Sequence, residues 1–143
     1  MKRIAVISLA VALVLFPTLA MNCGSGGGSE NLEGKIKWIE TEPLTCLYDP
    51  GQSWEGDYQV AMYGEMENVS KHKLKVFSAV FRLYNSAGEV VGEQIFGYEG
   101  YPEVRPNQIF SSPGFTLYYA EEVVRYDVFV TDSQGKEYIC LRD

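Results

Sequence analysis

Three cysteines carry the most specific chemistry in this chain, because a thiol can be acylated, oxidised to a disulfide or left free. They are Cys23, Cys46 and Cys140. In an exported chain an odd number leaves one cysteine without a disulfide partner. Cys46 and Cys140 lie in the apolar, strand-like stretches LTCLY and YICLR, whereas Cys23 is followed by the flexible sequence GSGGGSE. We therefore predict a Cys46–Cys140 disulfide, with two buried free thiols as the alternative.

The residues before Cys23 predict export. Lys2 and Arg3 precede an uninterrupted apolar run, IAVISLAVALVLF, at positions 4–16. This length is typical of the hydrophobic region of a signal peptide, about 7–15 residues, whereas a membrane-spanning helix needs about 20. Residues 1–22 are therefore predicted to be a signal peptide. An uncleaved anchor helix is the alternative.

The junction LAMNC resembles a bacterial lipobox, which ends in the cysteine that receives the lipid. Ala20 and Asn22 stand where the usual motif has Leu and a small residue. The resemblance implies that Cys23 is the lipid-modified first residue of the mature protein, which would be held at a membrane of the cell envelope. Residues 23–33 are then a Gly/Ser tether. Cleavage after Ala20, giving a soluble secreted or periplasmic protein, is the alternative.

The remaining reactive residue types do not converge on a catalytic or metal-binding pattern. The single histidine, His72, lies between Lys71 and Lys73 in a predicted turn. The sequence contains no Gly-rich phosphate loop, zinc-ligand spacing or nucleophile elbow. The stretch DSQGKE lacks the alternating acidic ligands of a calcium loop. These features predict a protein that is not an enzyme and uses no cofactor or metal, with a hydrolase as the alternative.

One stretch, FGYEGYPEVRP at positions 96–106, is a candidate for binding. It places Tyr98, Tyr101 and Arg105 on a long predicted loop. Tyrosine on a loop offers amphipathic contact area at low entropic cost. These three residues are the candidates for a binding loop, although the sequence favours packing of the rings back over the edge of the domain.

The charge of the chain limits the class of partner. The formal net charge is -7, and removal of residues 1–22 makes it more negative because Lys2 and Arg3 are lost. An acidic chain lacks the basic footprint of a nucleic-acid-binding protein. It also has little attraction for anionic lipid head groups. Contact with a membrane is therefore predicted to occur through the N-terminal lipid.

The elements that must position these residues are predicted to be β-strands. Ten Tyr and seven Phe, with abundant Val, favour strands, and apolar residues alternate with polar ones in DYQVAMYGEME at 57–67. About seven to eight strands predict one domain, residues 34–143, folded as an antiparallel immunoglobulin-like β-sandwich, with a closed barrel as the alternative. Pro43 is expected to break the first strand and Pro113 to interrupt a later one. The other strand-like stretches are 35–41, 44–48, 74–85, 90–96, 108–120, 123–132 and 138–142.

The middle of the chain, residues 64–94, resembles the FxLYD domain of bacterial and archaeal envelope proteins. Phe81, Leu83 and Tyr84 stand at the namesake positions, with Asn85 in place of the family's Asp. The resemblance covers about half of the chain and implies an immunoglobulin-like sandwich in an extracytoplasmic protein, often a lipoprotein, without a catalytic signature. Other residues that fit the family's motifs are Gly64, Asn68, Gly88, Gly92, Asn107 and Phe115.

These observations together lead us to expect a non-catalytic, exported lipoprotein whose β-sandwich is a binding or assembly module of the cell envelope. Its partner would be an envelope protein or a glycan, and not nucleic acid. A soluble secreted domain and a hydrolase remain the alternatives.

Overall fold

The computed structural model describes residues 30–98, 103–111 and 114–143. Within these ranges the chain forms ten β-strands and no helix, which confirms the predicted all-β fold. No helix in the described part could therefore cross a bilayer. The predicted signal peptide, Cys23 and most of the predicted tether lie outside the described residues. The strands are β1 (Ile36–Tyr48), β2 (Tyr58–Asn68), β3 (Leu74–Lys75), β4 (Ser78–Tyr84), β5 (Val90–Gly97), β6 (Glu103–Val104), β7 (Ile109–Ser111), β8 (Phe115–Tyr119), β9 (Arg125–Thr131) and β10 (Glu137–Ile139).

Two antiparallel four-stranded sheets form the domain. In the first sheet, β2 lies between β1 on one edge and β7 and β8 on the other. The second sheet has the order β10-β9-β4-β5. The short strands β3 and β6 form a separate pair. The predicted antiparallel β-sandwich is therefore confirmed.

The strands are more numerous than the predicted seven to eight because two predicted strands are divided. The stretch 74–85 forms β3 and β4, and the stretch 108–120 forms β7 and β8. The second division falls around Pro113, as predicted, because proline has no N–H to donate to a sheet. Pro113 itself lies outside the described residues. The loop before β7 adds the short strand β6.

The first strand is longer than predicted, because β1 continues through Pro43. Its pairing with β2 shifts in register between Glu40 and Glu42, and again between Glu42 and Thr45. Such register shifts let an edge strand accommodate a proline. At the free edge of a sheet the missing N–H of proline costs no hydrogen bond, because no neighbouring strand would accept from it.

Phe81 on β4 joins the two sheets at the centre of the core. Its ring centroid lies 5.2 Å from that of Trp38, 5.6 Å from that of Phe96 and 5.7 Å from that of Phe115. All three contacts are edge-to-face, an arrangement worth about 0.5–1.5 kcal/mol per pair beyond the area buried. Further fully buried side chains come from alternate positions of both sheets, namely Ile36, Met62, Met66, Leu83, Val128 and Val130.

One end of the sandwich is where the chain enters the domain, and we call it the tether end (residues 30–35, 68–73 and 103–108). Leu32 is buried in the core, and the carboxylate of Glu30 accepts a hydrogen bond from Lys75 N. Val69 N donates to the carbonyl of Lys35 at 3.0 Å. These contacts fix the start of the domain beside the end of β2.

The opposite end contains residues 49–57, 85–89 and 120–124, and we call it the distal end. Asn85 Nδ2 donates to Glu121 Oε2 at 2.8 Å, which joins two of these segments. β1 connects the two ends over 13 residues, a length of about 40 Å for an extended strand. A ligand bound at the distal end would therefore lie far from the point where the chain enters the domain.

Candidate functional site

The predicted disulfide is wrong, because Cys46 and Cys140 are both free thiols in this fold. Cys46 Sγ accepts a hydrogen bond from Val123 N at 3.4 Å, whereas Cys140 N donates to the carbonyl of Val128 at 2.9 Å. Five residues of extended chain separate Val123 from Val128, about 16 Å. The Cα atoms of a disulfide lie within about 7 Å of each other. Cys46 and Cys140, whose hydrogen-bond partners are five residues apart on the chain, are therefore not positioned to be linked.

The prediction failed because the end of the chain lies beside the beginning of β1 and not beside the part of β1 that contains Cys46. The two do approach, since Leu141 forms a parallel bridge with Lys37. Lys37 lies near the beginning of β1, however, and Cys46 lies near its end. Burial raises the pKa of the Cys140 thiol to about 12, so this thiol stays protonated at neutral pH.

The residues of the predicted binding loop have separate environments. Tyr98 is half-buried, its ring centroid lies 6.0 Å from that of Phe110, and its hydroxyl donates to Met66 Sδ at 3.6 Å. Arg105 is exposed, and its backbone N–H donates to Gln108 Oε1 at 2.9 Å. Tyr101 lies outside the described residues. Tyr98 therefore contributes packing at the tether end, and the binding role of the loop stays a prediction.

The single histidine, His72, is exposed in the turn after β2, and its carbonyl accepts a hydrogen bond from the side chain of Asn68 at 2.7 Å. Across residues 30–98, 103–111 and 114–143, no group of three or more His, Cys, Asp or Glu side chains is arranged to hold a metal ion.

A chain of polar side chains that runs from the core to the surface links β1 to β9. Trp38 Nε1 donates to the hydroxyl of Tyr126 at 2.9 Å, and this hydroxyl donates in turn to Glu40. Burial, followed by the hydrogen bond to Glu40, raises the pKa of Tyr126 to about 12. The phenol is therefore protonated at neutral pH and satisfies the buried indole N–H. Beside it lies a cavity of about 280 Å³ lined by Trp38, Glu40, Arg142 and Asp143.

The most unusual side chain at the surface is Trp54, in the distal loop that joins β1 to β2. Its side chain is 94% exposed, whereas Trp38 in the core is 1% exposed. Hydrogen bonds close the loop beneath it, since Asp49 N donates to the carbonyl of Asp57 at 2.7 Å and Gly51 N donates to Asp57 Oδ1 at 3.3 Å. An ordered loop therefore holds a large aromatic ring in water.

Beside Trp54 a groove opens between the edge strands of the two sheets, β5 and β8, and we call it the distal groove. Its volume is about 550 Å³, which lies within the range of about 300–1,000 Å³ found for ligand sites. Gln94 Nε2 donates to the hydroxyl of Tyr119 at 3.2 Å across the gap between the sheets. The groove is lined by Trp54, Glu55, Val91, Gln94, Leu117 and Tyr119.

Gly92 makes room for one wall of the distal groove. A Cβ at this position would lie 2.3 Å from Cε1 of Tyr119. Any other residue would therefore displace the Tyr119 ring, so the sequence at Gly92 determines the shape of the groove. Burial raises the pKa of Tyr119, and the nearby carboxylate of Glu55 adds to this effect.

A set of three hydrogen-bonded side chains lies next to the groove on the outer face of the first sheet. Gln59 Nε2 donates to the hydroxyl of Tyr118 at 3.0 Å, and this hydroxyl donates to Asp49 Oδ2 at 3.3 Å. Nearby, the rings of Tyr48 and Tyr58 lie 5.3 Å apart. The distal end therefore combines exposed aromatic rings with amide, hydroxyl and carboxylate groups.

The charge at this end is negative. The loop 49–57 contains Asp49, Glu55 and Asp57 but no Lys, Arg or His. Glu121 and Glu122, also at the distal end, are exposed. Such a surface repels phosphate, sulfate and carboxylate groups and favours ligands that are neutral or positively charged.

Trp54 is not among the binding residues predicted from the sequence. The available signal was a tryptophan three residues beyond Gly51 of the turn motif DPGQ, in a short connection between two alternating strands. A large aromatic residue in such a connection has few core positions within reach. Comparison with family models and with curated proteins gave no match for this chain.

Proposed function

We propose that this protein is an exported, lipid-anchored binding module of the cell envelope, without catalytic activity, built on an FxLYD-like sandwich. The observation that carries the proposal is the position of Trp54, an almost fully exposed aromatic residue at the end of the domain opposite the tether. Exposed aromatic side chains on ordered loops supply much of the contact energy at binding sites.

The arrangement of the two ends supports a role outside the membrane surface. A lipid on Cys23 would hold the tether end close to the bilayer, because Glu30 and Leu32 already contact the folded domain. A lipid with two acyl chains anchors a protein stably, whereas one chain does not. The distal end would then face away from the bilayer at a distance set by the tether and by the length of β1.

The residues of the FxLYD resemblance support the structural half of the proposal. Phe81 and Leu83 are fully buried, and a Cβ at Gly64 would lie 2.2 Å from Cζ2 of Trp38. Asn107 has a positive φ of 60°, which asparagine tolerates better than most residues. Asn85, in place of the family's Asp, accepts hydrogen bonds from the backbone within its own turn. These roles concern the fold and imply no chemical reaction.

The anchor is tested by expressing the full chain and its Cys23→Ala variant in a bacterial host. We expect the wild-type chain in the membrane fraction, labelled by a fatty-acid analogue, and the variant unlabelled in the soluble fraction. A variant that stays in the membrane with Met1 at its N-terminus would identify an uncleaved anchor helix. A soluble, unlabelled wild type beginning at Met21 would identify a secreted domain.

A further inference from the structure

We propose that the distal groove binds a neutral oligosaccharide, with Trp54 as the stacking platform. This inference rests on the proposed binding role of the distal end, and it does not depend on the lipid anchor. The observations that carry it are the exposed indole, the mixed lining of the groove and the negative charge of its rim.

The indole of Trp54 provides a flat apolar face that the described residues leave almost uncovered. The faces of aromatic rings carry negative partial charge, and the C–H groups on one side of a sugar ring carry positive partial charge. Stacking of the two surfaces removes apolar area from water. The ring of Trp54 is 94% exposed, so nearly all of this area is available to a ligand.

The lining of the groove fits a ligand that carries many hydroxyl groups. Val91 and Leu117 offer apolar contact, whereas Gln94 and Glu55 offer an amide and a carboxylate. A sugar hydroxyl both donates and accepts, so one sugar can satisfy both kinds of group. An apolar peptide or acyl chain would instead bury the Glu55 carboxylate without a partner, which is costly.

The negative charge of the loop 49–57, which forms the rim of the groove, favours a neutral sugar over an acidic one. Asp49, Glu55 and Asp57 lie in the loop that carries Trp54, and that loop contains no basic residue. Uronic acids, sulfated sugars and sugar phosphates would bring further negative charge to this rim. Hydroxyl groups of a neutral sugar donate to carboxylates instead, so the rim favours an uncharged chain.

The backbone of the loop and the wall of the groove are held in place by the domain itself. The backbone bond from Asp49 to Asp57 closes the loop, and Gly92 allows the ring of Tyr119 to pack against β5. Binding therefore does not need to order the loop or the wall of the groove, and less of the interaction energy is lost to entropy.

The two tryptophans allow a direct test on the purified full chain. If the chain fractionates with membranes, it is kept in a detergent without sugar groups. Trp38 is 1% exposed and Trp54 is 94% exposed, so quenching by acrylamide and red-shifted emission report on Trp54. The probes are chitohexaose, cellohexaose and maltohexaose, with hexagalacturonate as the acidic comparison. We expect at least one neutral hexasaccharide to shift the emission to shorter wavelength and to protect Trp54, and hexagalacturonate to do neither.

Variants assign the binding to the groove. By titration calorimetry we expect Trp54→Ala to weaken binding at least tenfold and Gln94→Ala to weaken it about threefold to tenfold. Ile139→Ala is the matched control, because Ile139 is also exposed, at 59%, but lies on β10. Its affinity should stay within twofold of the wild type.

Three results would overturn the inference: no binding of any of the three neutral probes, equal binding of hexagalacturonate, or binding that Trp54→Ala leaves unchanged. If any of these occurs while Cys23→Ala still releases the chain from the membrane, only the sugar inference fails. If sugar binds but the wild type is soluble and unlabelled, only the anchor fails.

Discussion

Asn68 at the tether end and Asn85 at the distal end make the same number of side-chain hydrogen bonds in opposite surroundings. Each amide makes four, with Nδ2 donating twice and Oδ1 accepting twice. Asn68 is fully buried, and its partners are the backbone of His72 and Val104 and both polar groups of Ser70. Asn85 is partly exposed, and Nδ2 bonds to surface carboxylates. The same residue type therefore serves packing at one end and a solvated turn at the other.

The aromatic residues repeat this contrast. At the tether end Tyr98 is half-buried against Phe110, whereas at the distal end Trp54 and Tyr48 extend into water. The ring of Tyr98 is therefore partly covered by the domain itself, whereas the ring of Trp54 is almost fully exposed. Exposed apolar area of this kind is available for contact with a ligand.

The largest expected effect comes from removing the buried amide. Asn68→Ala leaves the buried carbonyl of Val104 and the N–H of Ser70 without their Asn68 partner, whereas the carbonyl of His72 keeps the hydroxyl of Ser70. We expect a loss of about 3 kcal/mol or more in the free energy of unfolding, because buried polar groups left unpaired cost about 1–3 kcal/mol each. The measurement is urea denaturation of the purified chain.

Asn85→Ala is the matched control, with the same atoms removed and the same number of hydrogen bonds lost. Water can replace the lost partners at the partly exposed turn, so we expect a loss of about 1 kcal/mol. Equal losses at the two positions would break the contrast between the two ends.

The next effect concerns Tyr126, in the core between the two ends. Tyr126→Phe removes the acceptor of the buried Trp38 Nε1–H, and we expect a loss of about 1–3 kcal/mol. Tyr63→Phe is the control, because the hydroxyl of Tyr63 bonds to Thr116 at the surface. A loss below about 0.5 kcal/mol is expected there.

The raised pKa of Tyr126 also predicts that the free energy of unfolding decreases at alkaline pH. Its pKa rises from 10.0 in the unfolded chain to about 12 in the fold, first through burial and then through Glu40. The fold therefore favours the protonated phenol, and this contribution is fully present below pH 10 and is lost as the pH rises through about 12. Denaturation at stepped alkaline pH should show a steeper loss for the wild type than for Tyr126→Phe. Parallel curves would contradict it.

The sequence predicted the architecture well because strand faces depend on local alternation. The buried Met62 and Met66 fall on one face of β2, and the interruption near Pro113 follows from the chemistry of proline. The disulfide could not be predicted in this way, because the separation of Cys46 and Cys140 depends on which part of β1 meets Leu141. That contact joins residues distant in sequence.

The candidate site was missed for a related reason. Tyrosines at 98 and 101 and Trp54 are all aromatic residues in predicted connections, and residue type does not tell which of them has a neighbour to pack on. Tyr98 is half-buried because Met66 and Phe110 come from other strands and lie beside it. Trp54 is 94% exposed, in a loop that is closed by the hydrogen bonds of Asp49 and Gly51 to Asp57.

The two described cysteines should differ in reactivity. Cys140 is buried and its pKa is raised to about 12, whereas Cys46 is partly exposed on β1. Since the thiolate is the reactive form, we expect iodoacetamide to modify Cys46 at least about tenfold faster in the folded protein. Peptide mass spectrometry after timed labelling measures both rates. A linked Cys46–Cys140 peptide in protein isolated without reductant would contradict the positions of the two strands.

The smallest expected effect on stability is also the sharpest test of the contrast between the ends. Trp54→Ser removes the largest type of side chain, but that side chain is 94% exposed and buries little area in the fold. We expect the free energy of unfolding to change by less than about 0.5 kcal/mol. Trp38→Phe, in the core, should cost about 2 kcal/mol or more, because it removes the hydrogen bond to Tyr126 and leaves a cavity. A destabilisation by Trp54→Ser as large as that of Trp38→Phe would mean that the exposed tryptophan supports the fold. If the stability is unchanged, the fold does not need Trp54, as expected for a residue whose role is to bind a ligand.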